Sequence, residues 1–143
     1  MFIYFLPEFI FTDLEVKTKE ECLKIMSQAM EEKHVVTEDF YDSVMDRESK
    51  TTTTIGNGVS LPHGSPTAVN ESKVGIAILK NPIMWDNEQV QVVFLLAFRL
   101  STRDEISRIQ MFIRICNIDR FRGKLEKLKS MKSNIELYKY LIQ

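Results

Sequence analysis

Val74-Gly-Ile-Ala-Ile-Leu79 and Val90-Gln-Val-Val-Phe-Leu-Leu-Ala-Phe98 are two strongly apolar runs around which the rest of the chain is arranged. Both are β-rich, and the later half of the second is apolar at successive positions rather than at alternate ones. Such a run suits a central strand covered on both faces. Between them, Pro82 to Glu88 reads as a connection containing Trp85. Upstream, Thr18-Lys-Glu-Glu21 is a capping box. Cys22, Leu23, Met26, Ala29 and Met30 follow at helical spacing, which predicts a helix over 19–32. A second helix is predicted after Thr37, with Phe40, Tyr41, Val44 and Met45 on one face, ending around Arg47-Glu48. Ser49 to Thr54 then reads as a loop entering a strand. Downstream, Ile106, Ile109, Phe112, Ile113 and Cys116 form one amphipathic stripe, and Phe121, Leu125 and Leu128 a shorter one. Ser133-Asn-Ile-Glu136 opens a last helix through Leu141. Helices at both ends of a strand-rich middle predict an α/β fold: a single domain over 1–143, with a mixed sheet of about five strands flanked by helices on both sides.

Composition agrees with that class. A chain of 143 residues corresponds to one domain, long enough to form a core without a disulfide or metal staple. Lys plus Arg number 19 and Asp plus Glu 20, a net charge of −1, which argues against electrostatic nucleic-acid binding. Cys22 and Cys116 sit in apolar helical patterns without a CxxC pair, as reduced core thiols do. Met1-Phe-Ile-Tyr-Phe-Leu6 is apolar but stops at Pro7 and lacks a basic start, so no secretory signal is expected. No run approaches the length of a membrane span. A cytoplasmic location without membrane insertion is the expectation.

The chemistry concentrates in residues 55–69. Gly56, Gly58 and Gly64 fall there with Pro62 and Pro66, the densest backbone punctuation in the chain. His63 follows Val59, Leu61 and Pro62, so a strand ends directly before it and presents it at a sheet end, where binding residues are commonly held. Read from the residues alone, it is either a structural loop histidine or a functional one. His34, after Glu31-Glu32-Lys33, reads as a solvated residue at a helix C-terminus. No HxxxH, HExxH or Cys/His cluster is present, so no metal is expected. Neither phosphate-binding glycine motif occurs, so no nucleotide cofactor is expected. A lone imidazole suits nucleophilic capture of a phosphoryl group, with arginine and backbone N–H groups balancing the charge.

Glu48, six residues, Ile55-Gly56, two residues, then Val59-Ser60-Leu61-Pro62-His63-Gly64 resembles the active-site signature of the fructose/mannitol-type enzyme IIA domains of the bacterial sugar phosphotransferase system. Ser60 departs from it, standing where that family usually has Ala. The resemblance extends over nearly the whole chain, through Arg47-Glu48, the Lys73–Lys80 strand, Pro82-Ile83-Met84-Trp85 and Val93–Ala97. It implies that His63 accepts a phosphoryl group from the phosphocarrier protein HPr and passes it to a cysteine of a IIB domain. It implies that Arg47 contacts that group. From the residues alone Arg47 is equally a surface charge or a salt-bridge partner. Glu48 and Gly64 would support the site, and Val59, Leu61 and parts of the helix after 104 would form an exposed apolar docking ring around His63.

Many transporter-type members carry a second histidine about 45 residues after the first. Here the segment reads Thr102-Arg-Asp-Glu-Ile-Ser-Arg-Ile109, and Glu105 or Arg108 takes that place. An arginine would stabilise a phosphohistidine and a carboxylate would repel it. The absence resembles the enzyme IIA-like domains of sugar-responsive transcription regulators. A third reading is a binding module that keeps the fold without being phosphorylated.

Overall fold

The computed structural model describes residues 4–100, 102–104, 106–107, 110–111 and 119–141. Strand β1 spans Phe5–Leu14, followed by helices α1 (Lys19–Glu32) and α2 (Phe40–Lys50). Two short strands, β2 (Thr54–Gly56) and β3 (Val59–Ser60), precede a 3-10 turn at Pro66–Ala68. The long strands β4 (Lys73–Trp85) and β5 (Glu88–Ala97) form a hairpin, and α3 (Asp119–Ser130) and α4 (Asn134–Leu141) close the described chain. The strands make one sheet in the order β1-β4-β5-β3-β2. β1 is parallel to β4 and β3 to β5, while β4–β5 and β2–β3 are antiparallel, so the sheet is mixed.

Side-chain alternation on β4 and β5 builds a core on each face. Ala77, Val93, Leu95 and Ala97 pack with Cys22, Leu23, Met26 and Met30 of α1 and with Phe40 and Val44 of α2. Ile76, Ile78, Val92, Phe94 and Leu96 pack instead with Leu125, Leu128, Met131 and Leu137. The two-sided apolar run thus has the covering the sequence predicts.

The first helix occupies the predicted residues. Thr18 Oγ1 accepts from the Glu21 N–H at 3.1 Å, and Glu21 Oε2 reaches back to the N–H of Lys17 at 3.4 Å. At the other end, His34 takes a left-handed φ of 59°, with His34 N–H on the Glu31 carbonyl and Val35 N–H on the Met30 carbonyl. This is a Schellman closure with an exposed histidine in the place glycine usually fills. The second helix runs two residues beyond its predicted end, so Ser49 and Lys50 are helical rather than loop. Cys22 is fully buried, and burial, reinforced by Glu21, pushes its thiol up to about 12. Cys116 lies outside the described residues.

Two expectations are corrected. Residues 5–14 form a strand although the apolar start before Pro7 carried no such reading; proline is tolerated because β1 is an edge strand, and its register shifts between Phe5 and Ile10. Pro82–Glu88 is not simply a connection. β4 continues to Trp85 across a bulge between Ile78 and Ile83, which accommodates Pro82, and only Asp86-Asn87 forms the turn.

Candidate functional site

Pro62 and His63 prolong the parallel pairing of β3 with β5. The Leu96 N–H donates to the Pro62 carbonyl at 2.9 Å, and His63 forms an isolated parallel bridge with Leu96. His63 therefore sits at the carboxyl end of two parallel strands, the end at which open α/β sheets bind ligands. Its ring is half-buried. Nδ1 lies 3.4 Å from the Leu61 carbonyl oxygen. Placing the proton on Nδ1, where it donates to that carbonyl, leaves the Nε2 lone pair available as a nucleophile.

Helix α2 clamps the loop that follows. Ser43 Oγ donates to the Phe40 carbonyl at 2.6 Å and accepts from the Ser65 N–H at 2.9 Å. A Cβ on Gly64 would lie 2.5 Å from the Phe40 ring and 2.7 Å from Ser43 Oγ, so only glycine permits this approach. Ser65 then caps the 3-10 turn at Pro66–Ala68. Arg47 is four residues beyond Ser43, on the same helical face one turn on. That face is the one in contact with the residues after His63. The Arg47 guanidinium donates to the Thr51 carbonyl at 2.9 Å, and its side chain is half-buried.

Glu48 has a different environment. It is 3% exposed, with Oε1 accepting from the Thr53 hydroxyl and Oε2 from the indole N–H of Trp85 at 3.2 Å. The Thr53 carbonyl in turn accepts the Leu61 N–H at 3.0 Å. Glu48 therefore faces the sheet and the β4–β5 hairpin, whereas Arg47 faces the Thr51 carbonyl. A polar groove beside it is lined by Glu48, Thr51, Thr52, Thr54, Asp86 and Glu88, and His63 is not among its walls.

The expected apolar ring is corrected in part. Val59 and Leu61 are 1% and 5% exposed and belong to the core beneath the sheet, because β3 is an interior strand whose apolar side chains point inward. Leu100, Ile106 and Met111, in the stretch leaving the same end of β5, are exposed. Glu105 and Arg108 lie outside the described residues. Sequence reading missed Ser43 and Thr53, and gave Trp85 no part in the site; the four-residue spacing of Ser43 and Arg47 was the available signal. Among the described residues no three His, Cys, Asp or Glu side chains are grouped to hold a metal ion. No described helix is long and apolar enough to cross a membrane.

A family profile described as "Phosphoenolpyruvate-dependent sugar phosphotransferase system, EIIA 2" matches residues 3–143. The chain belongs to this family. Among individual relatives of this EIIA domain, the transcriptional regulator ManR of Bacillus subtilis is 29% identical over 122 residues, 85% of this chain and 18% of that protein. The mannitol-specific phosphotransferase enzyme IIA component of Staphylococcus aureus strain MRSA252 is 31% identical over 116 residues, 78% of this chain and 81% of that one. The chain thus spans under a fifth of the regulator and most of the free-standing component. In fold it is similar to the Escherichia coli mannitol enzyme IIA solved in complex with phosphorylated enzyme IIB. The TM-score is 0.74 at 21% identity, covering 94% of this chain and 96% of the other.

Proposed function

We propose that this EIIA domain is a phosphoryl carrier, taking phosphate from HPr onto His63 and passing it to a IIB-domain cysteine. The observation that carries the reading is the placement of His63 at the carboxyl end of β3 and β5, its Nδ1 toward the Leu61 carbonyl. The Nε2 lone pair attacks the phosphorus of the donor's phosphohistidine. The new N–P bond forms as the donor's N–P bond breaks, and that electron pair returns to the donor imidazole. In the second transfer a IIB thiolate attacks the same phosphorus, and the N–P bond electrons return to His63. Arg47, one turn along α2 from the Ser43 clamp, would pair with the phosphoryl oxygens, while Gly64 lets α2 approach and Glu48 fixes the end of that helix. The E. coli neighbour's complex with phosphorylated IIB supports a partner of that kind.

The similarity to ManR and to the probable licABCH operon regulator of B. subtilis favours a second reading, in which the same phosphorylation regulates transcription. A chase experiment tests the carrier reading and separates the two. Phosphorylated HPr labels the domain, and a IIB domain is then added. Loss of label to the IIB cysteine supports carriage. Label that stays on His63 supports a regulatory module, and no label at all supports a binding module. Arg47→Ala is expected to slow labelling by about tenfold or more, with Arg47→Lys in between because it loses bidentate pairing.

A further inference from the structure

We propose that Trp85 is a positioning residue for Arg47, acting through Glu48; this role rests on the carrier reading given above. Arg47 and Glu48 are adjacent in the last turns of α2 but face different groups. The guanidinium donates to the Thr51 carbonyl, and the Glu48 carboxyl accepts from Thr53, two residues further on. These bonds close a small ring through residues 47–53. Trp85, 37 residues from Glu48 in sequence, ties that ring to the β4–β5 hairpin with its indole N–H at 3.2 Å.

The tie is stiff. Trp85 is 0% exposed and packed in the core under α1 and α2, so its N–H cannot follow Glu48 if the carboxyl moves. Glu48 is itself 3% exposed, and a buried carboxyl that leaves its donors loses partners it cannot regain from water. Both oxygens are therefore pinned, which fixes the backbone of the final turn and the direction in which Arg47 leaves it. The same ring reaches the histidine loop, because the Thr53 carbonyl holds the Leu61 N–H and the Leu61 carbonyl faces His63 Nδ1. The indole N–H of Trp85 is spent on Glu48 and not on His63. Its effect on transfer runs through the angle and reach of Arg47, and small misplacements of a charge-pairing group cost large factors in rate.

The test is a double-mutant cycle on the whole domain with Trp85→Phe, Arg47→Ala and their combination. The readouts are the single-turnover rate of transfer from phosphorylated HPr, the affinity for HPr, and the thermal midpoint. Trp85→Phe keeps an aromatic ring and removes only the indole N–H and part of the ring volume. It is expected to slow transfer roughly tenfold with HPr affinity unchanged. In the Arg47→Ala background the same change is expected to alter the rate less than about twofold, while lowering the thermal midpoint equally in both backgrounds. Thr53→Val, which removes the other donor to Glu48, is expected to show the same non-additivity and serves if Trp85→Phe folds poorly. An unchanged rate in both variants, or the same loss with and without Arg47, overturns the proposal. A wild-type domain that takes up no phosphate overturns the carrier reading and this role together. A phosphorylated wild type with an unaffected Trp85→Phe overturns this role alone.

Discussion

Gly64 and Ser60 sit four residues apart and make opposite demands on a methyl group. At Gly64 the added Cβ of alanine meets the Phe40 ring at 2.5 Å and Ser43 Oγ at 2.7 Å, against a helix that cannot retreat without uncovering Phe40 and Val44. Gly64→Ala is expected to lower stability by about 1–3 kcal/mol and to displace the loop that carries His63. Chemical denaturation together with the rate of labelling by phosphorylated HPr measures both. Ser60 is 0% exposed, and its Oγ has no hydrogen-bond partner among the described residues, as Ser27 Oγ on α1 has none. An unpaired buried hydroxyl costs more than the methyl that would replace it. Ser60→Ala is expected to raise stability by about 1 kcal/mol and to leave the labelling rate unchanged. The departure from the family's usual alanine is therefore a small loss of stability at a position that does not touch the chemistry.

At the scale of elements, α2 and the β4–β5 hairpin decide how the site is built. The hairpin tip is tied to α2 by Trp85 on Glu48 and to α1 by Lys19 on Asp86, whose atoms are 2.6 Å apart. That hydrogen bond from Lys19, with the Lys19 charge and a further bond from Thr52, holds the Asp86 carboxyl below the usual carboxylate range. A depressed folded value means that the unfolded chain takes up the proton first on acidification. The stabilisation is therefore complete above the ordinary aspartate range and is lost as pH falls through the folded value. Asp86→Asn should cost stability at neutral pH, and the gap from wild type should close as the pH is lowered below that range. Thermal midpoints across a pH series measure this, and a gap independent of pH contradicts the assignment.

How much of these elements could be read from sequence follows from the kind of signal each carries. The capping box at Thr18 and the two-sided apolar run at 90–98 are local patterns, and both elements formed where they were read. The continuation of β4 through Pro82 was hidden because a bulge, visible only in the pairing with β5, removes the penalty that proline otherwise carries. β1 was hidden for a related reason, since its proline is harmless at an edge that only the sheet order defines. The place of His63 at a sheet end was legible from its motif. The clamp from Ser43 and the Glu48–Trp85 tie were not, because both depend on contacts across 22 and 37 residues.

At the scale of the whole molecule, the two cores divide the work. α1 and α2 cover one sheet face, with Phe40 and Ser43 of α2 against the loop after His63, while α3 and α4 cover the other with Leu125, Leu128 and Leu137. Relatives of this domain occur both as a free-standing mannitol component and within a regulator more than five times as long as the matched portion. The same carrier chemistry fits either setting, and both settings require the modification of His63 itself. The most direct measurement is intact mass after incubation with phosphoenolpyruvate, enzyme I and HPr, for the wild type and His63→Ala. A gain of one phosphate, labile to acid as phosphohistidine is, is expected on the wild type and none on His63→Ala. A wild-type mass that does not change, or a phosphate retained by His63→Ala, contradicts it.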